Sequence, residues 1–170
     1  FKNRISKTII ENLDFKLTDN QKSVINEINA DLKSKSRMFR ILQGDVGSGK
    51  TIVSFITSAN TLEAGFQCAL MAPTEILAKQ HYNLAKKIFF KTKVNIGYLS
   101  SKTESKNRKI ILNKISNGEI DLLIGTHSIF QKKIVFKKLG YIIIDEQHKF
   151  GVRQRMKLAE KGGSNCDVLL

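Results

Sequence analysis

No apolar run among the 170 residues reaches the roughly 18 needed to cross a membrane as a helix, which excludes a helical membrane span. The opening FKNRISKTII also lacks the apolar stretch of a secretory signal, so a cytoplasmic protein with no membrane partner is expected. Cysteine is scarce. Cys68 and Cys166 stand at no metal-ligand spacing and fall short of the density of a disulfide scaffold; their apolar surroundings are those of buried free thiols. Proline occurs once, as Pro73, and no low-complexity stretch or internal repeat is visible. No initiator methionine stands at Phe1 and no polar tail follows the final CDVLL, so both ends are expected to continue in a longer polypeptide.

Acidic residues are also few, 15 against 29 lysines and arginines, for a formal charge of +14. Such an excess points to a polyanionic partner such as DNA, RNA or membrane phosphate, and equally to lysine-rich solvated faces. Charge alone does not choose among them. The basic residues are spread along the chain, with Lys86, Lys87, Lys91 and Lys93 in one group and Lys106, Arg108 and Lys109 in another.

What remains, 41% hydrophobic residues, is enough to bury one core, and one domain is expected over 1–170. Val24, Ile25, Ile28 and Leu32 recur at helical spacing, and Thr18 with Gln21 fits the T-x-x-Q capping box, so a helix is predicted from Thr18 to about Ser36. MFRILQ, residues 38–43, then reads as a short buried strand, followed by a glycine-rich turn and a helix from near Lys50 that ends by Gly65. The alternation continues with strand FQCALMA, a helix from Thr74 to about Phe90, strand VNIGYL, and a helix from Ser105 to Ser116 stopped at Gly118. DLLIGT and YIIID are further strands, and CDVLL reads as one buried on both faces. Apolar strands alternating with helices imply crossover units, hence an α/β domain with a mostly parallel sheet covered by helices on both faces.

GDVGSGKT, the run Gly44, Asp45, Val46, Gly47, Ser48, Gly49, Lys50 and Thr51, matches G-x-x-x-x-G-K-[ST] between a predicted strand and a predicted helix. Glycines allow turns that aim successive N–H groups at phosphate oxygens, and the helix start adds unpaired N–H groups and a positive dipole end. Lys50 would reach the β and γ phosphates of ATP, and the Thr51 hydroxyl would ligate Mg²⁺. A chance match occurs in roughly one chain of this length in a hundred, so a second half of the site has to agree. That half is YIIIDEQH, an apolar strand delivering Asp145 and Glu146 at its carboxyl end. Asp145 can hold the magnesium through water, which leaves Glu146 to orient and deprotonate the attacking water.

DEQH places the sequence among DEAH-like superfamily 2 helicases, and GDVGSGKT, MAPTEILAKQH, IGTHSIFQ and IIIDEQHKFGVRQR closely resemble RecG-type ATP-dependent DNA helicases. Four motifs agree in order and spacing with the first, RecA-like lobe of that family, from about Phe15 to Leu170. As in RecA-like lobes generally, Val168 to Leu170 are predicted to lie between the strand before the glycine-rich turn and the Tyr141–Ile144 strand. The transcription-repair coupling factor is a near neighbour, but it typically carries DEEH and an aromatic residue in the phosphate loop; Gln147 and Ser48 favour the RecG type. Lys149 stands where that family usually has arginine, Ser128 where it often has alanine, and LSSKT near Leu99 lacks its usual glycine.

The resemblance implies further roles. Gln21 would read the adenine edge with Phe15 packed near the base, although Gln21 also has a purely local reading in the capping box. Pro73 and Thr74, with the helix N–H groups that follow, would bind a DNA backbone phosphate, the local alternative being a plain N-cap. Thr126 and His127 resemble a second backbone contact, and Gln147 with His148 would couple the nucleotide site to later motifs. Arg153 and Arg155 read equally as a solvated helix face. The implied whole is a monomer with ATP and Mg²⁺ as cofactors and branched or forked DNA as partner. A second helicase lobe of the same polypeptide and an amino-terminal DNA-wedge domain, both absent from these residues, would complete it. A nucleotide-dependent binding module without processive activity is the competing reading.

Overall fold

The computed structural model describes residues 3–145 and 166–170. Glu146, Gln147, His148, Lys149, Arg153 and Arg155 lie outside the described residues. Among the described residues, five α-helices and six strands follow in the order α1 (Arg4–Glu11), α2 (Asp19–Lys33), β1 (Phe39–Arg40), α3 (Lys50–Glu63), β2 (Gln67–Met71), α4 (Glu75–Ile88), β3 (Ile96–Leu99), α5 (Ser105–Asn117), β4 (Leu122–Gly125), β5 (Leu139–Ile144) and β6 (Asp167–Leu169). A 3₁₀ turn, His127–Phe130, follows β4.

The strands form a six-stranded sheet in the order β1-β6-β5-β2-β4-β3, and every neighbouring pair is parallel. Burial follows the pleat, in which successive side chains point to opposite faces. Cys68, Leu70, Leu122, Ile124, Tyr141 and Ile143 share one core with Ile9 of α1, Ile28 of α2, Phe55 and Ile56 of α3 and Ala85 of α4. Ala69, Met71, Leu123, Ile142 and Ile144 join Ile115 of α5 and Ile129 in a second core on the other side. The predicted α/β architecture with helices on both faces is therefore present. Strand β6 lies between β1 and β5 as expected, with Val168 beside Ile142 and Phe39.

Two elements differ from the sequence reading. MFRILQ contributes only Phe39–Arg40 as strand, and Phe39 and Ile41 are 55% and 51% exposed. The reason is position: β1 pairs with β6 alone and is the edge of the sheet among the described residues, so one flank is open. Pairing persists beyond it through single bonds, Leu42 N–H to Leu170 O at 2.8 Å and Leu170 N–H to Arg40 O at 2.9 Å. The second difference is α1, for which no helix was predicted. Its buried side is small, Ser6 and Ile9, and it is fastened to α3 by polar contacts. The Arg4 N–H donates to the Glu63 carboxylate at 3.1 Å and the Ser6 hydroxyl meets the Asn60 amide oxygen at 3.4 Å.

Helix α3 is buried along nearly its whole length, from Ile52 to Leu62. Its hydroxyls therefore need internal partners: Ser54 returns to Lys50 O, Ser58 to Phe55 O, and Thr57 meets the Tyr141 phenol at 3.1 Å. Burial pushes the Tyr141 phenol up from its ordinary value. Cys68 and Cys166 are buried and free; burial pushes the Cys166 thiol up to about 12 and the Cys68 thiol well above its usual range.

Candidate nucleotide site

The edge strand β1 runs into the glycine-rich loop, which closes onto the first turn of α3. Gly47 and Gly49 take φ of 81° and 85°, a backbone region that side chains rarely adopt, and Gly49 is the residue that starts the helix. No side chain caps this helix end and no acidic residue sits in its first turn, so its N–H groups and positive dipole end are left to an anion. Lys50 folds back over the loop: its ammonium donates to the carbonyls of Gly44 at 2.6 Å and Asp45 at 2.8 Å. Ser48 N–H bonds to Asp45 O at 3.1 Å, which closes the turn beneath it. Val46, at the tip, is fully exposed.

Strand β5 brings the second half of the site. The Asp145 N–H continues the ladder by bonding to Met71 O at 2.9 Å, so the carboxylate emerges at the carboxyl end of the sheet. A cleft of about 630 Å³ lies there, lined by Gly44, Val46, Gly47, Lys50, Thr51 and Ser54 on one side and by His81, Ile144 and Asp145 on the other. Thr51 and Asp145 thus share one hollow although 94 positions separate them in the sequence (145 − 51).

The expected base contacts lie differently. Phe15 is half exposed and neither it nor Gln21 lines this cleft. Gln21 completes the capping box: its Oε1 accepts from Thr18 N–H at 2.9 Å while Thr18 Oγ1 accepts from Gln21 N–H at 3.2 Å. Its Nε2 donates to Ser48 O at 3.0 Å, and a methyl group on Gly49 would collide with that nitrogen. Both ends of one amide are therefore used, one holding the start of α2 and the other holding the phosphate loop against it.

Pro73 and Thr74 follow β2, and Thr126 and His127 follow β4, so all four stand at the same end of the sheet as Asp145. Thr74 caps α4, its hydroxyl accepting from Leu77 N–H at 3.3 Å. His127 is exposed, whereas the Thr126 hydroxyl is buried against the Ser128 hydroxyl at 3.2 Å. The loop after β3, which lacks the expected glycine, is tied to α4: Ser101 donates to Glu75 at 2.8 Å and Lys102 pairs with it at 2.9 Å. These contacts hold the Glu75 carboxyl below its usual range.

One residue escaped the sequence reading. His81 lies on the buried side of α4 with Ala78, Ala85 and Ile88, and its Nε2 meets Asp145 Oδ2 at 2.7 Å. The signals available in the sequence were a histidine on an otherwise apolar helix face and its place at the end of the family-like string MAPTEILAKQH.

This arrangement, a phosphate loop between strand and helix facing a strand-end aspartate in a parallel sheet, is that of a RecA-like P-loop lobe. The chain belongs to the DEAD/DEAH box helicase family, which it matches over residues 18–167. Within that family its similarity is to the RecG type. It is 51% identical to the ATP-dependent DNA helicase RecG of Staphylococcus epidermidis over 156 residues, 92% of this chain and 23% of the relative. Against RecG of Bacillus subtilis it is 48% identical over 169 residues, 99% of this chain and 25% of that protein. The chain thus spans about a quarter of the length of these relatives. A solved structure of RecG bound to a three-way DNA junction superposes with a TM-score of 0.87 at 40% identity, covering 99% of this chain and 22% of that one. The UvsW helicase from bacteriophage T4, at 14% identity and a TM-score of 0.68 over 91% of this chain and 51% of that one, shares the fold.

Proposed function

We propose that these residues are the ATP-binding motor lobe of a DNA helicase that acts on branched or forked DNA in recombination and repair. The observation that carries the reading is the single cleft into which the phosphate loop, Thr51 and Asp145 all open. ATP would lie with its phosphates on the N–H groups of Gly44 to Thr51, and Lys50 would exchange the Gly44 and Asp45 carbonyls for β and γ phosphate oxygens. A hydroxyl and a carboxylate are hard oxygen donors of the kind magnesium takes, so Thr51 and Asp145 fit as its holders. When bound, the ion would neutralise charge on the phosphates. Glu146, next in sequence, would orient and deprotonate the attacking water, and Gln147 with His148 would pass the nucleotide state onward.

Gln21 and Phe15 would attend the base, which requires the Gln21 amide to release the capping box or Ser48. Pro73, Thr74, Thr126 and His127 would contact the DNA backbone at the same edge of the sheet, Thr126 through its main chain because its hydroxyl is buried. Such contacts position the strand and carry no sequence preference. A second lobe of the same polypeptide would face the cleft, and the protein would work as a cytoplasmic monomer.

The test is strand separation of a fluorescently labelled forked duplex by the full-length polypeptide. Unwinding that requires ATP and Mg²⁺ and disappears in the Lys50→Ala variant is expected. Nucleotide-controlled DNA binding with no unwinding would replace this reading with that of a passive binding module.

A further inference from the structure

A histidine on the buried face of a helix is costly to desolvate unless its ring nitrogens find partners, and an aliphatic residue would fill the same space without that cost. His81 is 9% exposed and packs on α4 among Ala78, Ala85 and Ile88, yet it faces Asp145 rather than a local carbonyl. The two residues are 64 positions apart, and the 2.7 Å contact joins α4 to the carboxyl end of β5. The imidazole can donate this bond through Nε2 to the carboxylate oxygen.

We propose that His81 is a positioning residue for the nucleotide site: by holding Oδ2 it fixes the orientation of the Asp145 carboxylate and leaves Oδ1 for the cation. This inference rests on the nucleotide-site reading above. The physical basis is the same as for partners that orient metal-binding carboxylates and imidazoles elsewhere, whose removal weakens metal affinity about 10- to 100-fold. His81 would thereby also make the cation site depend on the seating of α4, the helix that Thr74 caps.

The measurement is the affinity of the full-length protein for a fluorescent ATP analogue, titrated with Mg²⁺ and compared with its affinity in chelator. His81→Ala is expected to raise the Mg²⁺ concentration for half-maximal enhancement by about 10- to 100-fold, a larger change than any in its affinity in chelator. His81→Gln, whose amide nitrogen reaches the place of Nε2, is expected to restore most of the wild-type Mg²⁺ response. His81→Leu, which fills the apolar face without a donor, is expected to behave as His81→Ala and serves if the alanine variant does not fold. Equal Mg²⁺ dependence in the wild type and in both donorless variants would overturn the positioning role and leave the nucleotide site standing. Absence of any Mg²⁺-dependent nucleotide binding in the wild type would overturn both.

Discussion

Residues 1–170 produced alone are expected to bind Mg-ATP weakly, to unwind no DNA, and to hydrolyse ATP about 10³- to 10⁵-fold more slowly than the full-length polypeptide. The phosphate loop and Asp145 form one wall of an open cleft, and the second lobe proposed to face it would supply an arginine finger across the γ-phosphate. A charge supplied there stabilises the transition state rather than the bound nucleotide, so its loss falls on turnover more than on affinity. Translocation is lost for a separate reason: a single rigid lobe has no second grip to open and close with the nucleotide state. Weak, salt-sensitive and sequence-independent DNA binding should remain, since the chain carries a formal charge of +14. Turnover assayed with and without forked DNA, for residues 1–170 and for the full-length protein, checks this. DNA-stimulated hydrolysis at comparable rates in both would mean that one lobe suffices.

Lys50→Ala and Glu146→Gln are expected to fail in different ways in the full-length protein. Lys50 bridges two carbonyls of the loop at 2.6 and 2.8 Å, which holds its ammonium over the turn where phosphate oxygens would be met. Removing a charged donor of this kind should weaken triphosphate binding about 10- to 100-fold. Glu146 follows the aspartate that ends the β5 ladder, and its proposed task is confined to the attack of water. Its amide variant should therefore keep nucleotide binding and lose about 10²- to 10⁴-fold in hydrolysis. Titration with a labelled nucleotide, alongside single-turnover hydrolysis, separates the two. Equal loss of binding in both variants would show that the roles are assigned wrongly.

Local features were legible from the sequence because neighbouring residues determine them. Thr18 and Gln21 stand three positions apart, and the capping box they announce is formed in full. Gly118, read as a helix stop, is the left-handed residue that ends α5. The burial of β6 was legible too, since a run as apolar as CDVLL reads as a strand covered on both faces, and its place between β1 and β5 followed from the likeness to RecA-like lobes. Less local facts were not. The brevity of β1 depends on which strands flank it, and α1 is held by Asn60 and Glu63 of a helix far along the chain. Gln21 posed a choice between capping and adenine recognition; its bond to Ser48, 27 positions away, was invisible to either reading. His81 went unread because its partner lies on another strand, and spacing carries no information about a contact of that kind.

The central claim, that ATP sits in the cleft between Gly44–Thr51 and Asp145, is tested most directly by amide NMR of the 19.2 kDa chain during titration with Mg-ATP. The account predicts that the N–H signals of Gly47, Gly49, Lys50 and Thr51 move, that the Asp145 signal follows, and that Lys50→Ala abolishes the response. Shifts confined to other surfaces of the sheet, or none in the glycine-rich loop at saturating nucleotide, would contradict it.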